Sequence, residues 1–201
     1  MIGISELHNG TEPKNGEYLT IAIDGRGASG KSALAEFLTT ELDGFTVING
    51  DDFFEPHAHE ITWGGFNEER FRDEVLLPVE SGLREFTFRP FDFPQGKIGS
   101  PIHLKIDRGV IIERCFSFKL PVEWDIRIWV ETPKEICLMR GLQREGAKVL
   151  GERATAAWSQ VWQPREARYI EETSPMHISD YVVDGTQPFE NINWLPKNRL
   201  I

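Results

Sequence analysis

Cysteine is nearly absent from this chain of 201 residues: there are two, Cys115 and Cys137. Two thiols make neither a disulfide framework nor a metal-ligand set, and they read as buried and reduced. No apolar run approaches the ~20 residues that cross a bilayer. The segment Met1-Ile2-Gly3-Ile4-Ser5-Glu6 lacks a basic stretch and a long apolar stretch, so no secretory signal is expected and the cytoplasm is the default compartment. Positive charge is also scarce: 22 Lys and Arg stand against 32 Asp and Glu, a formal net charge of −10. That argues against a nucleic-acid partner, whose phosphates are held by clustered Lys and Arg. Internal repeats, low-complexity tracts and long linkers are missing too. So is an Asn-Lys-x-Asp element of the kind that reads guanine.

What is present is a phosphate-binding signature. Gly25-Arg26-Gly27-Ala28-Ser29-Gly30-Lys31-Ser32 fits G-x-x-x-x-G-K-[ST] in full. Glycines let the backbone curl around an anion, and successive N–H groups then form a nest at a helix N-terminus. Lys31 supplies a point charge for the β- and γ-phosphates, and the Ser32 hydroxyl is a ligand for Mg²⁺. The flanks agree. Tyr18–Ile23 is an apolar, β-branched run suited to a buried strand, and Ser32–Leu42 places Leu34, Phe37, Leu38 and Leu42 on one helical face.

Further along, Phe45–Ile48 predicts a second strand, followed by Asn49-Gly50-Asp51-Asp52-Phe53-Phe54. Paired carboxylates at the carboxyl end of a strand lie where open α/β sheets bind ligands, although a solvated acidic turn would look the same. Residues 67–77 predict a helix closed by Pro78. Phe86–Phe93 alternates as a strand, Pro94 and Gly96 mark a turn, and Ile102–Ile106 would pair back as a hairpin. Val110–Glu113 and Ile126–Val130 predict strands. Thr132 and Pro133 fit the N-cap and first position of the next helix, which carries Arg140 and Arg144 on one face. Trp158, Val161 and Trp162 belong to a further amphipathic stretch, and Tyr181–Gly185 reads as the last strand with its turn.

Alternating strands and helices predict an α/β domain with a mainly parallel sheet and right-handed crossovers. The expected organisation is a loose arm over 1–16 and one domain over 17–201, with a hairpin insertion at about 84–107 and a lid at about 140–155. Each need of phosphoryl transfer has a candidate. Gly25–Ser32 holds the phosphates, and Ser32 and Glu113 hold Mg²⁺ directly or through water. Asp51 accepts the proton of an attacking hydroxyl, and Arg140 and Arg144 neutralise the transferring group unless they are merely solvated. Phe54, Phe91, Phe93 and Trp63 would wall an acceptor pocket or simply pack, with Arg89 and Asp92 as its polar contacts. His57 and His59 lack a third ligand at metal spacing and read as exposed.

Four segments, Gly25–Ser32, Asp51–Phe54, Ile111–Glu113 and Leu138–Glu145, resemble the uridine kinase and phosphoribulokinase group of P-loop kinases in order and spacing. The likeness runs from about residue 18 to 185 and implies a three-layer P-loop NTPase fold. In that group the first Asp after the second strand is the catalytic base, here Asp51, and it also lies at the metal. The Glu ending the later strand belongs to the metal shell, here Glu113. The lid arginines fall on Arg140 and Arg144. The resemblance implies ATP and Mg²⁺ as cofactors, a small-molecule hydroxyl as acceptor and transfer of the γ-phosphoryl, with no membrane partner. Gly141 replaces the second of the paired lid arginines. Residues 61–67 replace the run that supplies a ribose-binding Asp, and Phe91-Asp92 stands for Tyr-Asp. The alternative is a P-loop ATPase switch that hydrolyses ATP with a protein partner; the longer apolar run ending in Asp-Glu expected of it is not seen.

Overall fold

The structure is a computed structural model and describes residues 11–55, 65–146, 157–191 and 195–196, with the backbone alone at 145, 146, 191, 195 and 196. Ten strands and five helices are assigned among these. β1 (Leu19–Gly25) leads through the glycine-rich loop into α1 (Lys31–Glu41), then β2 (Phe45–Asn49). α2 is a composite of Glu68–Phe71, a wide turn over Arg72–Leu76, and Leu77–Glu80. Four short strands follow: β3 (Glu85–Phe88), β4 (Phe91–Asp92), β5 (Lys97–Ile98) and β6 (Ile102–Lys105). Then come β7 (Gly109–Glu113), β8 (Ile126–Glu131) and α3 (Lys134–Gly146). α4 joins a wide turn, Trp158–Trp162, to Gln163–Thr173; α5 (Pro175–Ile178), β9 (Tyr181–Asp184) and β10 (Leu195–Pro196) follow.

The central sheet runs β10-β9-β8-β1-β7-β2. The pairings from β9 to β2 are all parallel, and β10 adds an antiparallel edge. β1 is buried along its whole length because it lies mid-sheet and has side chains on both faces. Ile21 and Ile23 pack with Leu34 and Leu38 of α1 on one face. Ala22, with Val110 and Ile112 of β7, packs against Phe71, Val75 and Val79 of α2 on the other. Three layers result. The register sets Ile23 and Asn49 level with Glu113, so the carboxyl ends of β1, β7 and β2 open together.

Several sequence expectations are corrected. Pro78 does not stop its helix. The Leu77 N–H bonds to the Arg72 carbonyl, and this wide turn takes up the strain of a ring that would crowd the carbonyl four residues back, so the helix continues to Glu80. The same arrangement precedes Pro164, where the Gln163 N–H bonds to the Trp158 carbonyl. Phe86–Phe93 is not one strand. It breaks at Arg89-Pro90 into β3, paired with β6, and β4, paired with β5, because proline cannot donate to the ladder. The described part of the arm, 11–16, is fastened rather than loose: Lys14 donates to the Asp125 carboxylate and the Trp124 carbonyl, and Asn15 donates to the Val79 carbonyl. The helix after β8 begins at Lys134. Thr132 donates its hydroxyl to the Ser29 carbonyl, 2.9 Å away, and so braces the glycine-rich loop. Of the residues expected to form a lid, 140–146 are the last turns of α3. Residues 147–155, like Trp63, His57 and His59, lie outside the described residues. No helix of the described residues is long and apolar enough to cross a membrane.

Candidate active site

The loop between β1 and α1 is shaped by its dihedrals. Gly30 sits at φ 109°, a left-handed conformation that favours glycine, and lets α1 begin at Lys31 with its first amides turned toward the loop. The Lys31 ammonium folds back over this hollow and donates to the carbonyls of Arg26 (2.8 Å) and Gly25 (3.2 Å) and to the Cys115 sulfur (3.2 Å). Burial opposes its charge, but the Cys115 sulfur, Glu113 and Asp24 more than offset that, and its pKa is raised. Cys115 itself is a thiol at neutral pH, because burial pushes it up to about 12.

Ser32 leaves the first turn of α1 and donates its hydroxyl to Glu113 Oε1 at 3.0 Å. Burial raises the Glu113 pKa; Lys31 and the Ser32 hydroxyl oppose the rise, and Asp51 and Asp52 add to it. Asp51 occupies the 3-10 turn Gly50–Phe53 at the end of β2 and is exposed. Its neighbour Asp52 is raised to about 6, by desolvation first and then by the Asp51 charge, with Arg70 opposing. Arg70 donates to the Asp52 carbonyl and lies over the Phe53 ring.

One cavity of about 810 Å³ joins these groups. Gly27, Ala28, Gly30, Lys31 and Ser32 line it, with Asp51, Glu113, Arg140 and Arg144. Of the acceptor-wall candidates, Phe54 and Phe93 line it. Phe91 stands behind them, its ring 5.2 Å from that of Phe54 and 5.0 Å from that of Phe93. Arg89 and Asp92 do not line it. The Arg89 amide donates to Glu74, and the Asp92 carboxylate caps a turn at the Gln95 amide. Of the two lid arginines, Arg140 is anchored beside the phosphate loop: its guanidinium donates to the Gly185 carbonyl at 2.9 Å and the Ser29 carbonyl at 3.4 Å.

Three residues in this region escaped sequence reasoning. Asp24, fully buried, accepts from the amides of Gly25, Phe116 and Phe118 and from the Tyr169 hydroxyl, and so fixes the loop after β7 to the end of β1. Desolvation raises its pKa against the pull of these donors. Its one sequence signal is a carboxylate ending an apolar run. Glu166 of α4 accepts from the Gly27 amide at 2.6 Å and faces Arg26 at 3.9 Å, so a carboxylate already rests on a donor of the loop. Arg114 lines the cavity and is 6% exposed. The structure also accounts for Gly141: a Cβ there would stand 2.2 Å from the Trp158 indole, which fills the space.

The residues fit ATP and Mg²⁺. The Ser29 hydroxyl is sealed in the loop with no partner among the described residues, as a donor awaiting an acceptor would be. The oxygens of Ser32 and Glu113 suit a hard cation that takes one or two protein ligands and completes its shell from phosphates and water. No cluster of three or more His, Cys, Asp or Glu that could hold a metal by itself occurs among the described residues.

No protein-family model matches the chain. A uridine kinase of Cronobacter sakazakii is 25% identical over 151 residues, covering 66% of this chain and 70% of its own. The chain is thus similar to the uridine kinase and phosphoribulokinase-like group of P-loop kinases. Likeness to this group supports a P-loop kinase phosphotransferase acting on a small molecule. Two solved structures share the fold. One, from Silicibacter sp. TM1040, provisionally described as a fructose transport system kinase, has 22% identity and a TM-score of 0.66, covering 86% of this chain and 95% of its own. The other, D-glycerate 3-kinase from Cryptococcus neoformans, has 9% identity and a TM-score of 0.55, covering 96% and 95%. At those identities they bear on the fold alone.

Proposed function

We propose that this protein is an ATP- and Mg²⁺-dependent kinase that moves the γ-phosphoryl to a hydroxyl of a small molecule, in the manner of uridine kinases. One observation carries the reading: Lys31, Ser32, Glu113 and Asp51 face one cavity at the carboxyl ends of three adjacent parallel strands. Bound MgATP supplies the phosphoryl group and a cation that neutralises its oxygens. The chain does the rest by positioning and charge. The amides of Gly25–Ser32 cradle the phosphates, and the Lys31 ammonium takes the β- and γ-oxygens. Ser32 and Glu113 would hold the cation. Asp51 accepts the proton of the attacking hydroxyl at its carboxylate. Arg140 and Arg144, on one face of α3, close over the transferring group as planar cations. The insertion over about 84–107 brings Phe93 to the acceptor wall beside Phe54, and excludes water from the nucleophile.

The test separates binding from chemistry. Lys31→Ala should weaken ATP binding or turnover. Asp51→Asn should leave ATP binding near wild type and lower acceptor-stimulated ADP release by about 10²-fold or more. Full transfer activity in Asp51→Asn would refute the assignment of the base. Steady ATP hydrolysis that no nucleoside, sugar, sugar phosphate or pantothenate-like alcohol stimulates would refute the kinase.

A further inference from the structure

Besides the phosphate loop, the cavity is lined by Phe54, Phe66 and Phe93 and by the buried Arg114. Arg114 follows Glu113 directly and leaves the end of β7. Its stem crosses Gly50, where a Cβ would stand 2.3 Å from the Arg114 Cβ, so the side chain runs beside the residue that precedes Asp51. The guanidinium carbon ends 3.4 Å from the centroid of the Phe66 ring. A ring face attracts a cation but accepts no hydrogen bond in the plane of the fork. Among the described residues no carboxylate lies within ion-pair distance of Arg114 and no acceptor takes its guanidinium N–H groups, although its backbone N–H bonds to the Ile23 carbonyl. The side chain lines the cavity while only 6% exposed. Asp24, Cys115, Glu68 and Asp51 act on it only from a distance.

A cation this buried is costly unless something pairs with it. The other cations lining the cavity are placed differently: Lys31 in the phosphate loop, and Arg140, Arg144 and Arg165 on α3 and α4. Arg114 instead leaves the end of β7, stacks on Phe66 and runs beside Gly50, the residue before Asp51. It also borders a second hollow of about 430 Å³, which Glu68, Glu69, Arg72 and Lys119 line and Asp51 does not.

We propose that the phosphoryl acceptor is an anionic alcohol, carrying a carboxylate or phosphate oxyanion besides its reacting hydroxyl, and that Arg114 binds that oxyanion while Asp51 takes the hydroxyl. This rests on the kinase reading and narrows its substrate class. A planar guanidinium with its fork free matches a two-oxygen anion in a bidentate pair. The ring wall selects against bulky polar groups and leaves the charge at Arg114 as the recognition element.

Matched pairs of acceptors test it on the full chain with MgATP: D-glycerate against glycerol, and ribose 5-phosphate against ribose, with uridine as a neutral nucleoside. The expected result is kcat/KM at least about 10-fold higher for an anionic member than for its neutral partner; the arm that responds separates carboxylate from phosphate. Equal or better use of the neutral members, uridine included, overturns this proposal and leaves the kinase standing. Stimulation by no member of these pairs, and by none of the nucleosides, sugars, sugar phosphates and pantothenate-like alcohols named above, with steady basal hydrolysis, overturns both. Arg114→Gln should then raise KM for the anionic acceptor about 10- to 100-fold with KM for ATP within about twofold, and Arg114→Lys should recover part of the loss. An unchanged acceptor KM in folded Arg114→Gln overturns the assignment. Should that variant fail to fold, the wild-type pairs decide by themselves.

Discussion

Replacing Asp52 by asparagine should stabilise the protein at neutral pH and not in acid. The Asp52 carboxyl titrates near pH 6 in the fold, against an ordinary 3.8, because it is desolvated and faces Asp51. Between those two values the folded chain holds a proton that the unfolded chain releases, so stability falls as pH rises through the window. The full shift corresponds to about 3 kcal/mol. Asp52 is only half-buried, and screening by water lowers the usable part to about 1–1.5 kcal/mol. Asp52→Asn removes that charge. For a chain of this length each kcal/mol moves the melting temperature by about 2–4 °C, so the variant should melt about 3–5 °C higher at pH 7.5 and within about a degree of wild type at pH 4. Thermal denaturation followed by circular dichroism in the presence of a chelator measures both. An equal gain at the two pH values, or a loss at pH 7.5, would refute the electrostatic reasoning. Acceptor-stimulated ADP release should stay within a few-fold of wild type, since Asp51 and not Asp52 lines the cavity.

Packing and buried charge carry three more expectations. Gly141→Arg, which restores the paired arginines of uridine kinases, should destabilise the chain by about 1–3 kcal/mol because its Cβ meets Trp158; in chemical denaturation the same change should cost less in a Trp158→Ala background than in wild type. Tyr169→Phe removes a hydroxyl donor from buried Asp24 and should cost about 1.5–3 kcal/mol of stability by the same measurement, since three amides remain. Glu166→Gln keeps the acceptor at the Gly27 amide but removes its charge, and should tighten ATP binding measured by calorimetry, because a buried carboxylate no longer faces the incoming phosphates.

The phosphate loop and its flanking strand and helix were legible because their patterns are local. Two-sided burial makes β1 a continuous apolar run, and α1 repeats every three to four residues. Asp51 and Glu113 could be read because a charge at the end of an apolar strand has few structural reasons to be there. Asp24 has the same signature, yet its role depends on Tyr169 and on the loop after β7, far away in sequence. Glu166 looks like any helix-surface acid until α4 folds back onto Gly27. Arg114 reads as a solvated residue following a strand, and its stacking on Phe66 depends on how the acidic turn packs. Pro78 misled in the other direction. Proline ends helices by a local clash, and a wide turn upstream removes the clash without any signal in the pattern.

Trp158 occupies the hollow left by two glycines, Gly27 of the phosphate loop and Gly141 of α3, with its indole nitrogen sealed away from any partner among the described residues. The ring thus works as a dowel between the nucleotide cradle and the arginine-bearing helix. A displacement of either piece would disturb this natural fluorophore, so its emission would report the fit between the two.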